Sequence, residues 1–147
     1  MTQIRFSEAI SKLQSRFGDQ LSTNMTTREQ HAHTTTWLLN QPADAVLTAK
    51  HKYDVADAVK ICYEHHMPGI AFGIGSSLEG QLNAPYGGLC IDMSQMDEIV
   101  AINEEDLTAT VQAGVTREAL NYYLRATGIF FPLERGVEEI IVGMVAG

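Results

Sequence analysis

The sequence predicts an α+β fold in which a small βαβ unit is followed by an antiparallel meander and a helix. Three observations carry this prediction. Two short apolar runs flank a helical pattern between residues 44 and 72, apolar and polar residues alternate over residues 107–112, and a capped helical pattern begins at Thr116. With 147 residues, of which 45% are hydrophobic, the chain can bury the core of one domain or of a large piece of one.

Residues 1–41 predict a helix and an extended arm that precede the main domain, residues 42–147. Ser7 is the expected N-cap of the helix, and Gly18 is its expected end. Residues 19–36 are rich in Thr, Asn, Gln and His and lack apolar periodicity, which favours an ordered loop or an extended arm over a helix or a strand. The apolar positions expected on the inner face of the helix are Ile10, Leu13 and Phe17.

A strand, a helix and a second strand are predicted after Pro42. The run "ADAVLTA" has the composition of a short buried strand, "YDVADAVKICYEHH" has helical periodicity, and "MPG" ends that helix before the apolar run from Ile70 to Phe72. Two strands joined by a helix in this way should be parallel, with a right-handed crossover. The residues expected on the inner face of the helix are Val55, Ala58, Val59 and Cys62.

The three strands of the predicted antiparallel meander are "LCIDM", "IVAIN" and "LTATVQ". Glu104 to Asp106 are interpreted as a solvated turn between two of them rather than as an acid/base pair. A helix capped by Thr116 and ended by Gly128 follows, before "IFFP" returns the chain to the core. The inward positions of the last strand are expected to be Leu107, Ala109 and Val111, and those of the helix Ala119, Leu120, Tyr123 and Leu124.

Charge and composition exclude several partners and locations. The formal charge of −8 and the pI of about 5.0 argue against a nucleic acid or an anionic membrane surface, because such partners attract clustered Lys and Arg. The N-terminus lacks the apolar core of a signal peptide, and no run is long and apolar enough to span a bilayer. Cys62 and Cys90 lie in apolar patterns and are expected to be buried free thiols. We therefore expect a cytoplasmic protein.

The stretch "AFGIGSSLEGQ", Ala71 to Gln81, places three glycines and two serines directly after a predicted strand. Glycine lets backbone amides approach a ligand closely and serine hydroxyls donate to anionic oxygens, so the stretch is suited to cradle a phosphate. A tight turn at the end of a strand uses the same residue types, and on the pattern alone we favour the turn. Leu78 breaks the dinucleotide fingerprint, and Gln81 with Leu82 breaks the nucleoside-triphosphate loop.

The remaining polar clusters predict no metal site and no catalytic residue. The histidines His31, His33, His65 and His66 have no carboxylate or cysteine at a diagnostic ligand spacing, so we interpret them as solvated side chains. The sequence also lacks the pattern of a nucleophile elbow.

Three segments carry, in this order, a resemblance to a known family: "FGIGSSLEGQ", "GGLCIDMSQMDEIVAINEEDLTATVQAGVTREAL" and "GIFFP". From about Ala43 onward the chain resembles the flavin-binding region of FAD-linked oxidases of the vanillyl-alcohol oxidase type. The most similar branch is that of the D-lactate dehydrogenases and the glycolate oxidase flavin subunit. The resemblance implies the N-terminal portion of an FAD-binding type-2 (PCMH-like) domain, truncated within the domain.

The resemblance also implies the residues that bind the cofactor. In the family, the loop that matches Phe72 to Gly80 wraps the FAD diphosphate with backbone amides and hydroxyls. Ser76 stands where the family usually has threonine and keeps the hydroxyl. A second flavin-facing segment follows the match to "FFP". The cofactor-binding residues carried over by position are Phe72, Gly73, Ile74, Gly75, Ser76, Ser77, Leu78, Gly80, Pro132, Gly136 and Gly143.

By resemblance, the chain is the N-terminal part of the FAD-binding domain of a flavin-dependent 2-hydroxyacid (D-lactate-like or glycolate-like) dehydrogenase or oxidase. FAD would accept a hydride from a small-molecule 2-hydroxyacid in the longer parent protein. This piece alone is not expected to be catalytically competent. The alternative is a non-catalytic remnant or interaction module that keeps the fold and binds no flavin, favoured because Glu139, Ile140 and Val142 depart from the family's second flavin segment. The sequence leaves the oligomeric state open.

Overall fold

The computed structural model describes residues 6–34, 36–132, 140 and 141. The chain divides into two compact units, Met1–Met93 and Ser94–Gly147. The described part of the first unit contains a four-stranded sheet with helices, and that of the second contains a two-stranded sheet and a helix. This content confirms the predicted α+β class. The predicted domain boundary between residues 41 and 42 stays a prediction.

The first unit is built around parallel strands. Its helices are α1 (Ser7–Phe17), α2 (Met25–Gln30) and α3 (Lys52–Glu64), and its strands are β1 (Leu21–Ser22), β2 (Ala45–Thr48), β3 (Gly69–Phe72) and β4 (Leu89–Asp92). The strand order is β1-β2-β4-β3; β4 pairs in parallel with both β2 and β3, and β1 pairs antiparallel with β2. The predicted parallel strands of the βαβ unit are thereby confirmed, with β4 inserted between them.

The two central strands, β2 and β4, supply the core of this unit. All four residues of β4 and three of the four in β2 are buried, which is why both segments read as nearly unbroken apolar runs. The edge strand β3 instead alternates exposed and half-buried residues, and its Ile70 and Phe72 pack against the core. Leu13, Leu47 and Leu89 are fully enclosed. Burial of one such side chain contributes roughly 1.5–3 kcal/mol, so the leucines of β2 and β4, together with Leu13 of α1, stabilise the unit.

Helix α1 ends at Gly18 as predicted, and this glycine has a positive φ of 53°. Ser7, however, is the first helical residue and not the cap. Phe6 occupies the N-cap position, and no side-chain hydrogen bond caps the helix. The buried stripe runs through Ala9, Leu13 and Phe17 at a spacing of four residues, so Ala9 takes the inward place predicted for Ile10.

The segment after α1 contains more regular structure than predicted. A 3₁₀ turn at Gly18–Gln20 leads into β1, and α2 follows. Asn24 caps α2, because its Oδ1 accepts hydrogen bonds from the backbone N–H of Thr26 at 2.9 Å and of Thr27 at 3.4 Å. The interpretation of residues 19–36 as a loop or an extended arm is therefore wrong. A strand of two residues and a helix of six are too short for periodicity to reveal.

Helix α3 buries Ala58 and Cys62 as predicted, but Val59 is 51% exposed and Val55 is only half-buried. Both valines border an open groove of about 380 Å³ beside β3. The inward position of Val59 is wrong because β3 is the edge strand of the sheet that the structure describes, and a helix residue above such an edge stays open to solvent. Asp54 is buried on this helix instead.

The second unit contains β5 (Ile99–Asn103), β6 (Thr108–Val111) and α4 (Arg117–Leu124). β5 and β6 form an antiparallel pair, but β4 pairs with the parallel strands of the first unit, so the predicted three-stranded meander is wrong. The continuous apolar run of β4 is that of a central parallel strand, a pattern that sequence alone does not separate from a buried meander strand.

The predicted inner faces of this unit hold only in part. Leu107 lies in the turn before β6 with a φ of 53° and is 74% exposed, and Ala109 is exposed, so only Val111 of the predicted set is partly buried. In α4, Leu120 and Leu124 are buried as predicted, whereas Ala119 and Tyr123 are exposed. The buried side chains form one cluster of Val115, Leu120, Leu124 and Ile141, against which Phe131 of "IFFP" packs.

The predicted cap of α4 and the two predicted buried thiols are confirmed, whereas α4 ends at Leu124 and not at the predicted Gly128. Thr116 caps α4, since its Oγ1 accepts the backbone N–H of Ala119 at 3.1 Å. Cys62 and Cys90 are free and buried; burial raises the pKa of the Cys62 thiol to about 11, and burial together with the Asp92 charge raises the pKa of the Cys90 thiol to about 12. Among the described residues, no helix has both the length and the hydropathy needed to cross a membrane.

Asp54 ties the start of α3 to the neighbouring chain. Its Oδ2 accepts hydrogen bonds from the backbone N–H of Lys50 at 3.0 Å and of His51 at 3.1 Å, and from Gln20 Nε2 at 3.3 Å. Burial acts to raise the pKa of Asp54, but these hydrogen bonds to the charged form outweigh it, so the pKa lies below its ordinary value of 3.8.

Replacement of Asp54 should therefore cost stability in a pH-dependent way. We expect Asp54→Asn to lower the free energy of unfolding at pH 7 by about 1–3 kcal/mol. Because the folded-state pKa of Asp54 is depressed, its carboxylate stabilises the fold fully above the unfolded pKa, and this stabilisation is lost as pH falls through the folded pKa. The difference in unfolding free energy between wild type and Asp54→Asn should therefore narrow progressively below pH 3.8. Urea unfolding of both proteins between pH 7 and pH 2.5 measures this difference. The control is Asp57→Asn: the Asp57 side chain is half-exposed and pairs with Arg16, so the change should stay below about 1 kcal/mol. A pH-independent difference for Asp54→Asn would contradict the assignment.

Candidate functional site

The glycine loop, residues 73–80, leaves the carboxyl end of β3. β2 and β4 run parallel to β3 and end at the same edge of the sheet. In α/β sheets, ligands bind beyond the carboxyl ends of parallel strands, so the loop stands where this architecture places its sites. Ile74 is 40% exposed and Leu78 is 72% exposed, although both are large apolar side chains.

The backbone of the loop requires glycine at two positions. Gly75 has a φ of 77° and Gly80 a φ of 81°, values that side-chain-bearing residues rarely adopt. A Cβ on Gly75 would lie 3.1 Å from Phe72 Cζ, and one on Gly80 would lie 2.6 Å from Leu38 Cδ1. The loop therefore folds back closely on the strand before it and on the segment that contains Leu38. Together with that segment, Gly80 borders a groove of about 490 Å³.

The amide groups of the loop are available to a ligand. Within the part of the chain that the structure describes, no backbone N–H from Gly73 to Gly80 donates a hydrogen bond to a protein acceptor. The loop is held instead by hydrogen bonds from Ser77 Oγ to Gln81 Oε1 and from Asn83 N to the Gly80 carbonyl, the latter at 3.0 Å. The Ser76 side chain is exposed. A run of unsatisfied amides in a glycine-bent loop is a ready site for anionic oxygens.

His31 and Asp92 lie next to this loop and were missed as site residues. The His31 ring packs on the Phe72 ring with a centroid distance of 4.5 Å and an interplanar angle of 48°. Its Nε2 lies 3.0 Å from Asp92 Oδ2, and its Nδ1 lies 2.8 Å from the Thr27 carbonyl oxygen. With a side chain only 16% exposed, His31 is not the solvated histidine that the sequence predicted. His31 follows directly after the short helix α2, and that helix is too short for its residue spacing to be recognised in the sequence.

Of the other three predicted solvated histidines, one is half-buried and two are exposed. His65 is also half-buried, with a side chain 17% exposed and Nδ1 3.9 Å from Glu8 Oε2, so its solvated interpretation is wrong as well. His33 and His66 are exposed as predicted. No group of three or more His, Cys, Asp or Glu residues that could hold a metal ion occurs in the described ranges.

The predicted acidic turn is confirmed. Asn103 Oδ1 accepts the backbone N–H of Glu105 at 3.1 Å and of Asp106 at 3.2 Å, and the residues from Glu104 to Asp106 are exposed. Asx turns of this type connect strands without any catalytic geometry.

The structure brings together the eight predicted loop residues but describes less of the second predicted segment. Pro132 is exposed and lies in the second unit. Gly136 and Gly143 lie outside the described residues, as do Glu139 and Val142. Among the residues that depart from the family pattern, Ile140 is described: it is 7% exposed and forms an antiparallel bridge with Thr116.

A parallel sheet whose edge strand runs into a glycine-rich loop is an arrangement typical of proteins that bind a phosphate-bearing cofactor. A solved structure specifies the class further: p-cresol methylhydroxylase with substrate bound matches with a TM-score of 0.70 and 27% identity, over 86% of this chain and 26% of that one. This match confirms the FAD-binding type-2 fold. The model of the family described as "FAD binding domain" matches residues 43–147, and the chain belongs to this family, whose cofactor is FAD.

Two curated relatives show which members of the family the chain is similar to. The "Probable D-lactate dehydrogenase, mitochondrial" of Danio rerio is 37% identical over 138 residues, which are 93% of this chain and 28% of the relative. The "Glycolate oxidase subunit GlcD" of Bacillus subtilis is 35% identical over 89 residues, which are 60% of this chain and 19% of that protein. The resemblance to FAD-linked oxidases is thereby confirmed. The chain spans about a quarter of the length of the curated relatives it matches.

The turn that returns the loop to β4 generates a prediction about stability. Asp44 Oδ2 accepts the Gly88 N–H at 2.7 Å, Gly88 has a φ of 127°, and a Cβ there would collide with the Pro68 carbonyl oxygen, a backbone atom. We expect Gly88→Ala to lower the free energy of unfolding by at least about 2 kcal/mol more than Gly18→Ala, which also has a positive φ but open space around it. Thermal unfolding of the two variants measures this, and equal losses would contradict the contact.

Proposed function

We propose that the chain forms the N-terminal part of the FAD-binding domain of a flavin-dependent 2-hydroxyacid dehydrogenase or oxidase, and that its glycine loop binds the FAD diphosphate. The observation that carries this is the run of amides from Gly73 to Gly80 that donate no hydrogen bond within the described protein. Because the chain belongs to the FAD-binding family, the anion that these donors would bind is the FAD diphosphate.

The loop can offer a diphosphate hydrogen-bond donors but no positive charge, since Glu79 is its one charged residue. A diphosphate leaves water only if new donors replace its solvation, and the backbone amides with the Ser76 hydroxyl supply them, whereas the Ser77 hydroxyl already donates to Gln81 Oε1. Gly75 and Gly80 allow close approach because neither carries a Cβ. The proposed FAD-binding residues are Phe72, Gly73, Ile74, Gly75, Ser76, Ser77, Leu78 and Gly80, followed by Pro132, Gly136 and Gly143 from the second segment.

The proposed reaction is the oxidation of the CH–OH group of a small 2-hydroxyacid. Two relatives bear the names D-lactate dehydrogenase and glycolate oxidase, and both names denote enzymes that act on 2-hydroxyacids. When bound, FAD would supply the hydride acceptor. The residues of this chain bind and orient the cofactor through its diphosphate, and no catalytic residue is assigned among them. The longer relatives have about three quarters of their length outside this match, so the chain alone is proposed to lack activity.

The cellular location and the absence of nucleic-acid partners remain predictions from the sequence. The two cysteines are free and buried, which is compatible with a reducing compartment such as the cytoplasm. The Danio rerio relative is named as a mitochondrial protein.

Titration of the purified chain with FAD tests the proposal. We expect stoichiometric binding that quenches flavin fluorescence, and we expect Gly75→Val to weaken it by more than tenfold, because the new side chain enters the loop beside Phe72. Gly18→Val is the matched control: it imposes a side chain at a similar positive φ in the same unit but has no atom within 4 Å, and its affinity should equal wild type. Equal affinities of wild type and Gly75→Val would mean that the loop is only a turn.

A second candidate is the remnant or interaction module that binds no flavin. The observation that favours it is Ile140, which replaces a hydroxyl-bearing residue of the family and is buried at 7% exposure, so it offers no donor to a cofactor. The same titration separates the two candidates. A chain that stays colourless after incubation with excess FAD supports the remnant, and tight stoichiometric flavin excludes it.

A further inference from the structure

We propose that His31 is a positioning residue for the glycine loop: held by Asp92 and Thr27, its ring fixes Phe72, and Phe72 in turn fixes the loop at Gly75. The inference rests on the proposed function only where it names FAD as the ligand of the loop. Its first part, the ordering of the loop, concerns the protein without FAD.

The hydrogen bonds of His31 leave its ring no freedom to rotate. A carbonyl oxygen only accepts, so Nδ1 carries a proton and donates it to the Thr27 carbonyl at 2.8 Å. On the opposite side, Nε2 and Asp92 Oδ2 are 3.0 Å apart, and that hydrogen bond holds one proton between the ring and the carboxyl group. The two side chains are 16% and 12% exposed, so little water competes for either contact.

The fixed imidazole forms one wall around Phe72. The rings of His31 and Phe72 pack at 4.5 Å, and Phe72 also packs against the buried cluster of Ala43, Val46, Ala84 and Cys90. The Phe72 ring is therefore confined between the core and the histidine. If the histidine contact is lost, the ring gains room on the side away from the core.

The ring edge of Phe72 meets the loop where the loop turns. A Cβ on Gly75 would lie 3.1 Å from Phe72 Cζ and 3.2 Å from Phe72 Cε2, so the ring fills the space directly beside the Gly75 Cα. No loop amide from Gly73 to Gly80 donates a hydrogen bond within the described protein, and the hydrogen bonds of Ser77 and Asn83 hold only the far end of the loop, so side-chain packing against Phe72 is what orders the loop at Gly75. A histidine more than 40 residues earlier in the sequence thus sets the position of the proposed cofactor site.

The first test measures loop order in the chain without FAD, by NMR relaxation of the amides of residues 73–80. We expect wild-type order parameters near 0.85 and values below about 0.6 in His31→Ala. His31→Phe keeps an aromatic ring but loses both hydrogen bonds and should loosen the loop as well. His31→Gln retains a planar terminal amide that can donate to Asp92 and lie against the Phe72 ring, so it should restore most of the order. His33→Ala, the exposed neighbour, should match wild type.

Unchanged order parameters in His31→Ala, or a loop in His31→Phe as rigid as in wild type, would overturn the inference. If His31→Ala does not fold, the comparison of His31→Phe with His31→Gln still decides it. The second measurement is FAD affinity, which should fall at least tenfold in His31→Ala and recover in His31→Gln. A loosened loop with unchanged FAD affinity would uphold the positioning role and contradict the proposed FAD site, so the two failures are distinguishable.

Discussion

The pairing of β4 between β2 and β3 is the constraint on which the first unit depends. In its register, Asp92 stands beside Phe72 on one side and Thr48 on the other, so three strand ends are aligned at one edge of the sheet. Phe72 is the last residue before the glycine loop, and Asp92 is the partner of His31. A one-residue slip of β4 would turn the Asp92 side chain to the opposite face of the sheet and move it away from His31. The relative positions of Phe72 and Asp92 therefore follow from the register of the sheet.

Sequence reasoning succeeded where the signal is local. The cap at Thr116, the end of α1 at Gly18 and the strand at residues 45–48 each follow from a few neighbouring residues whose chemistry is unambiguous. The glycine loop was also found from composition, but the pattern alone favoured an ordinary turn. The resemblance to FAD-linked oxidases favours a cofactor loop instead, and the loop amides that donate no hydrogen bond within the described residues support this proposal.

Sequence reasoning failed where long-range pairing decides. β4 was assigned to a meander because a short apolar run is compatible with either neighbour, and only the sheet order shows which one it has. His31 was interpreted as solvated because its partner Asp92 is 61 residues away, beyond any ligand spacing that a motif encodes. Val59 and Tyr123 were placed inward by helical periodicity, which identifies an apolar face but not whether a neighbouring element covers it.

The return of the chain from β3 to β4 also affects how the protein folds. β2 and β3 are synthesised before β4, yet in the described sheet each of them has β4 as its parallel neighbour, so neither can complete that pairing until residues 89–92 have been made. The segment between β3 and β4 is then the connection that must close for the sheet to form, and the entropy cost of closing it rises only slowly with its length. Residues 73–80 lie in that connection. Closure of the sheet therefore brings residues 73–80 to the edge at which the three parallel strands end.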